Sequence, residues 1–391
     1  MALVAFLISR ACSVFGLQII ACTFIFRIVE RGADAYSLSQ LGLVATVASL
    51  AFAFPLGFII DHMNKRSAIL VSHFILLLLV ISLSILNPFN FLPILVATGL
   101  IAVSRNFRSI SQFTVFGELL RNKANKDRWV NRSTLSWQIA AFIAPLLAGI
   151  LGAGVLSLIV ACAFISVSFF CQIYIVRFLE DVSTDSDATA VTTHGLIQFL
   201  QSNFRLYSSL TLDFFIVLFA GAASLLPFLH PGRDSSLDIG ILKSALPAGV
   251  IFGTWIRLQK PSLDGWAEKL LLATLGYGFC HLLLAESSSF YFSYTLLFGA
   301  GIFDALSLAV RECILQLETP AQFKGRVYAL NNFLVNASDE LSEWESGVAA
   351  SWVGVRTAIR ISGLVALFGA SVFAWKTKQH QQRALTKISV D

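Results

Sequence analysis

Apolar residues in this chain do not alternate with polar ones; they come in long runs broken by short polar stretches. Crossing the hydrocarbon of a bilayer as a helix takes about 20 mostly apolar residues. Runs of that kind lie at approximately 3–27, 37–60, 68–86, 92–117, 135–153, 156–177, 207–229, 238–257, 269–285, 289–315, 326–350 and 359–375. The pattern predicts an all-α membrane protein with twelve transmembrane helices. No small-residue cleavage site followed by soluble sequence ends the first run, so it reads as a span and not as a removable signal. The eleventh run is the outlier, because "ASDELSEWESG", residues 337–347, places Asp339, Glu340, Glu343 and Glu345 in it.

Composition agrees. Of 391 residues, 56% are hydrophobic and 13% charged, against about 25% charged in soluble chains, and the mean hydropathy is +0.76. Lys and Arg orient the spans. With both termini cytoplasmic, the inner side holds Lys65 and Arg66, the group from Arg121 to Arg132, Arg177, Arg205, Arg257, Lys260, Lys269, Lys324, Arg326 and the basic tail. The outer side holds Arg27, Arg31, Arg233, Arg356 and Arg360. Removing the eleventh span would destroy that bias. The net charge of +5 follows from topology and lipid contact and implies no nucleic-acid partner. Cys12, Cys22, Cys162, Cys171, Cys280 and Cys313 are scattered without metal-ligand spacing and read as packing residues. No cofactor or metal is expected.

The longest polar interruption, "FLEDVSTDSDATAVTTH", begins at residue 178 and suits a cytoplasmic linker. It divides the chain into an N-terminal six-helix bundle (1–177), a linker (178–206), a C-terminal six-helix bundle (207–375) and a tail (376–391). "GELLRNKANKDRWVNRSTL" after the fourth span and "QLETPAQFKGRVYALNN" after the tenth are polar, basic connections in corresponding positions, so the halves read as distant, pseudo-symmetric repeats.

Between spans two and three stands "PLGFIIDHMNKRSAIL". Gly57 allows close helix approach, and Asp61 with Lys65 and Arg66 forms a tight charged loop able to latch the cytoplasmic side. An ordinary positive-inside loop is the alternative. The pattern resembles the signature loop of the major facilitator superfamily, although His62 and Asn64 replace its usual basic residue and glycine. Pro145 and Gly149 in "QIAAFIAPLLAGIL" stand where exporters of that superfamily carry a kinked, glycine-rich helix, with Ala144 and Ala148 replacing two glycines. "SRACSVFG", containing Arg10, and "KGRVYALNN" followed by "DELSEWESG" are similar to segments of the branch that includes enterobactin-type siderophore exporters and macrolide efflux proteins.

At about 100° per residue, Asn332, Asn336, Asp339, Glu340, Glu343 and Gly347 fall within one arc of roughly 100°, with Glu345 on the other side. Each intramembrane acid costs about 2.5–3.5 kcal/mol on insertion scales. A polar stripe of this kind faces a water-filled cavity or a charged partner, or belongs to a fixed ion-pair network. Elsewhere the deep charges are Arg10, Arg105 and Arg108 in the first half, and Asp213, Asp304, Lys243 and Arg311 in the second. His73 and His281 read as packing or interfacial residues, and Trp352, Trp375 and Tyr291 as interface anchors.

The resemblance implies a monomeric secondary transporter of the bacterial inner membrane, with spans one, four, seven and ten around a central cavity. In that frame Arg10, Arg105, Arg108, Asp304 and Arg311 line a substrate cavity whose arginines suit an anionic, siderophore-like molecule. Asp213, Asp304, Glu340 and Glu343 supply carboxylates for proton coupling, unless the two walls only neutralise each other as a gate. Export of a siderophore-like molecule in exchange for protons is the leading reading. Multidrug or macrolide efflux, and import of an iron-loaded siderophore, are the alternatives. No nucleophile–base pair or metal spacing points to an enzyme.

Overall fold

The computed structural model describes residues 1–120, 126–179, 193–219, 223–233, 235–257, 265–320 and 324–388. Its α-helices are α1 (Ala2–Val29), α2 (Ala35–His62), α3 (Lys65–Leu86), α4 (Phe91–Leu120), α5 (Lys126–Leu151), α6 (Val155–Val176), α7 (Thr193–Ser202), α8 (Phe204–Phe219), α9 (Ser236–Arg257), α10 (Trp266–Glu286), α11 (Phe290–Glu318), α12 (Lys324–Val353) and α13 (Val355–Ile388). Every apolar run has its helix. Among the described residues, ten of these are long and apolar enough to cross a membrane by that criterion alone. The other two are α8 and α12.

α8 is described over Phe204–Phe219 and a 3-10 segment over Ala223–Phe228, with Pro227 inside it; residues 220–222 between them lie outside the described ones. The eleventh run forms a continuous helix, α12, whose carboxylates lower its mean hydropathy without interrupting it. The short helix α7 lies within the stretch read as a linker, of which residues 180–192 are outside the described ones.

Helix ends follow local chemistry. Asp34 accepts from the Ser37 amide at 2.9 Å and from its hydroxyl at 2.7 Å, capping α2; these two donors hold its carboxyl below the usual range. Asn64 caps α3 through the Arg66 amide at 3.0 Å. That helix ends at Asn87, whose φ of 46° lies in the left-handed region that asparagine tolerates, just before Pro88.

The chain forms two compact units: residues Met1–Asp185 with Leu226–Ala248, and Ser186–Leu225 with Gly249–Asp391. In the first, α1 packs on α4, α5 and α6, and α3 on α4 and α6. In the second, α8 packs on α11, α12 and α13, and α10 on α11 and α13. The same pairing therefore recurs, with α8 in the place of α1, α10 of α3, α11 of α4, α12 of α5 and α13 of α6.

Small and hydroxylic residues bring these helices close, as packing in lipid requires. A Cβ added at Gly16 would stand 2.9 Å from the Ala161 carbonyl oxygen, so α1 meets α6 at van der Waals contact of backbones. Ser9 and Ser168 bridge the same pair, with hydroxyl oxygens 2.8 Å apart. In the second unit Gly278 and Gly363 bring α10 against α13, and Gly249 and Gly253 bring α9 against Phe298, Ile302 and Ala305 of α11. Large apolar side chains such as Ile85, Ile150, Phe170, Leu272 and Phe368 are exposed, as are Tyr291, Trp352 and Trp375 near helix ends. A bilayer is the solvent that suits such a surface.

Arg27, placed by the sequence on the outer side at the end of the first run, is 1% exposed. Its Nε donates to the Ala153 carbonyl at 2.9 Å, one Nη to the Pro88 carbonyl at 2.6 Å and the other to Asn87 Oδ1 at 2.6 Å. Its guanidinium also lies 4.4 Å from the centre of the Phe89 ring. One side chain thus ties α1 to the α3–α4 and α5–α6 connections. Arg27→Leu leaves buried carbonyls without donors, at about 1–3 kcal/mol each. The unfolding midpoint of the purified protein in detergent is expected to fall by about 5 °C or more, and that of the exposed control Arg31→Leu by about 1 °C. An unchanged midpoint for Arg27→Leu would dispose of the staple.

Candidate functional site

Arg105 and Arg108 stand one turn apart on α4, and Arg10 projects from α1, which packs against it. Both Arg10 and Arg105 are close enough to Arg108 to act on its charge. Arg108 is 5% exposed. One of its Nη atoms donates to Ser13 Oγ at 2.9 Å and to Gln112 Oε1 at 2.7 Å. Its Nε has no hydrogen-bond partner among the described residues. Arg10 donates to Ser133 Oγ on α5 at 2.7 Å. The structure therefore assembles the three arginines named from sequence, and the one buried deepest is held by neutral groups.

Behind Arg108 lies a polar network with no counterpart in the sequence reading. Gln112 Nε2 is 3.2 Å from His73 Nε2, and His73 Nδ1 is 2.9 Å from the Ile69 carbonyl oxygen. Gln172 donates to Ser9 Oγ at 2.7 Å and lies 3.5 Å from His73 Nε2. His73 and Gln172 are completely buried, so His73 belongs to a polar core and not to the outer surface of its helix. A signal for it was present: Ser9 with Ser13, Arg108 with Gln112, and Ser168 with Gln172 are polar pairs at i, i+4 in three apolar helices.

The loop residues are engaged within the first unit. Lys65 pairs with Glu118, in the last turn of α4, at 3.0 Å. Arg66 donates from Nε to the Leu179 carbonyl at 3.0 Å, just beyond α6, and a second guanidinium nitrogen donates to the same oxygen. The side chains of Gly57 and Asp61 lie outside the described ones. Pro145 and Gly149 stand where α5 meets the first turns of α9. A Cβ at Gly149 would lie 2.9 Å from the Ser236 carbonyl oxygen, and Gly240 packs on the Pro145 carbonyl. Ala144 and Ala148 are buried beside them. These small residues place two helix backbones in contact.

In the second unit Arg311 of α11 forms an ion pair with Asp213 of α8, both buried. Glu312 and Asp339 also act on the Arg311 charge, and Asp304 and Asp339 lie within electrostatic reach of the partly buried Tyr277. On α12, Asp339 and Glu343 are exposed, whereas Glu340, Ser342, Ser346 and Gly347 are buried and Glu345 is half-buried. The stripe expected from sequence is therefore divided by depth, with Glu340 inside the bundle and Asp339 and Glu343 open. The side chains of Asn332 and Asn336 lie outside the described ones.

Breaking a buried ion pair leaves an uncompensated charge, at about 3–5 kcal/mol, whereas replacing both partners by apolar groups is often neutral. Asp213→Ala is therefore expected to lose most folded protein on size-exclusion chromatography, and Asp213→Leu with Arg311→Met to recover it. If the double variant is as unstable as the single, the pair is not what holds α8 to α11.

No protein-family model matches the sequence, and no curated protein matches it significantly. Solved structures match along nearly its whole length. A POT family transporter in complex with a thioalcohol conjugated peptide matches with a TM-score of 0.74 at 13% identity, over 96% of each chain. The nucleoside transporter NupG matches with a TM-score of 0.73 at 11% identity, over 96% of this chain and 99% of that one. A human organic anion transporter matches with a TM-score of 0.68 at 12% identity, over 95% and 98%. Identities this low carry the fold and nothing finer. Together with the recurring helix pairing, they show that the chain has the major facilitator fold, a multi-pass membrane architecture of two pseudo-symmetric six-helix bundles.

Proposed function

We propose that this protein is a secondary active transporter that exports a small anionic, siderophore-like molecule across a bacterial inner membrane by proton-coupled alternating access, with both termini cytoplasmic. The observation that carries the reading is Arg108, a buried guanidinium whose hydrogen-bond partners, Ser13 and Gln112, are both neutral. Burying a charge without an opposite one is costly. A substrate carboxylate or similar oxyanion supplies that opposite charge, and Arg10 and Arg105 strengthen its attraction. The similarity of "SRACSVFG" and "DELSEWESG" to segments of siderophore exporters points the same way.

The second unit provides acids for coupling. Asp213 is committed to Arg311, and Asp304, Glu340 and Glu343 are the remaining carboxylates we assign to gaining and losing a proton during the cycle. The proteins that share the fold include transporters of peptides, nucleosides and organic anions by name, which fits a small organic substrate.

The test is a metabolite profile of the host under iron limitation, with and without the gene. A chelator is expected to build up inside the deletion strain and to disappear from the medium, and Arg108→Gln is expected not to restore secretion at normal protein levels. Normal secretion by the deletion strain would exclude siderophore export. Lost iron uptake would then indicate import, and new drug sensitivity would indicate multidrug efflux. With the chelator purified from the medium and the protein in liposomes, at least one of Asp304→Asn, Glu340→Gln and Glu343→Gln is expected to keep exchange but lose accumulation driven by a pH gradient. Full accumulation in all three would remove these acids from the coupling.

A further inference from the structure

The hydrogen bonds behind Arg108 run in one direction, and that direction is fixed at their far end. The Ile69 carbonyl oxygen can only accept, so His73 Nδ1, 2.9 Å away, carries the hydrogen. In a neutral imidazole Nε2 is then an acceptor, and the amide nitrogen of Gln112 donates to it from 3.2 Å. This orientation turns Gln112 Oε1 towards Arg108, which donates to it from 2.7 Å. Arg108, Gln112, His73 and Ile69 thus form a chain in which every link donates away from the arginine. His73 is 0% and Gln112 6% exposed, so water does not compete. The group facing His73 from α6, Gln172, is neutral, and the charge facing it from α4 is Arg108 itself.

The chain uses only one corner of the guanidinium. One Nη serves Ser13 and Gln112, whereas Nε has no partner and the second Nη makes no hydrogen bond among the described residues. Nε–H and the neighbouring Nη–H form the parallel fork that matches both oxygens of a carboxylate.

We propose that Gln112 and His73 are positioning residues that hold Arg108 cationic and unneutralised, with its Nε edge turned to receive one planar oxyanion, a carboxylate group of the transported molecule. The inference rests on the reading of this bundle as the substrate-binding part of a transporter. A carboxylate in place of the Gln112 amide would neutralise the arginine; the amide fixes it without doing so, and the single tautomer of His73 keeps the amide from turning over.

The test uses the full chain purified in detergent, with benzoate as the probe, its neutral isostere benzamide as the control, and thermal stabilisation as the reading. Benzoate is expected to stabilise the wild type and benzamide not. Gln112→Glu, which neutralises Arg108, is expected to weaken benzoate at least tenfold, each midpoint shift being read against the same variant without benzoate. A second reading separates positioning from packing: nitrogen NMR of imidazole-labelled protein, with the His73 signals identified by their loss in His73→Gln. The wild type is expected to show the hydrogen on Nδ1 alone, and Gln112→Glu to add a second on Nε2, taken up from solvent as an imidazolium, because a carboxylate and the Ile69 carbonyl both only accept. Retention of a benzoate-binding Arg108 in Gln112→Glu, equal stabilisation by benzamide, no stabilisation by benzoate, or an Nε2–H tautomer in the wild type would each overturn the proposal. Normal siderophore secretion in the deletion strain, with these results as expected, would instead remove the proposed substrate and leave the oxyanion site standing.

Discussion

A polar group inside a bilayer has no water to return to, so it must find its partners within the protein. That constraint orders this structure. Backbone groups satisfy it by forming helices, which is why every long apolar run becomes one. Polar side chains satisfy it by meeting across helix pairs: Ser9 with Ser168 and Gln172 between α1 and α6, Arg27 with three acceptors at the end of α1, and Asp213 with Arg311 between α8 and α11. Arg108 stands apart from these cases. Its chain of neutral partners fixes the side chain in place while leaving its charge and one edge uncommitted.

The two units solve the packing problem in the same way. Glycines set backbone contact at α1–α6 and α10–α13, and the helix pairing repeats from one unit to the other. Their chemistry has diverged. The first unit concentrates arginine, serine and glutamine around α1, α4 and α6, whereas the second carries Asp213, Asp304, Asp339, Glu340 and Glu343 around α8, α11 and α12. In the proposed cycle the first copy would hold an anion and the second exchange protons.

Much of this was legible in the sequence because hydrophobic run length depends only on composition along the chain. Even the eleventh run could be read as one helix, α12, since its acids fall on a limited arc and its loss would upset the charge bias. Depth within that arc was not legible: Glu340 is buried while Asp339 and Glu343 are open, and only the packing of neighbouring helices decides this. Arg27 reads as an outer-side residue because it ends an apolar run, yet its acceptors come from connections about 60 and 126 positions away along the chain. His73 read as a packing residue because no partner stands near it in sequence. The i, i+4 polar pairs on α1, α4 and α6 were visible one helix at a time, and the network they form depends on three helices meeting.

In the proposed function Arg108 turns the buried, unpartnered Nε side of its guanidinium to a substrate oxyanion. The most direct measurement is a crystal structure of the protein soaked with 4-bromobenzoate, in which the anomalous signal of the bromine locates the ligand. The expected result is a carboxylate seated on Arg108 through Nε and its neighbouring Nη, with Gln112 and His73 unmoved behind it. A carboxylate side chain of the protein occupying that edge, or the ligand bound only elsewhere, would contradict the account.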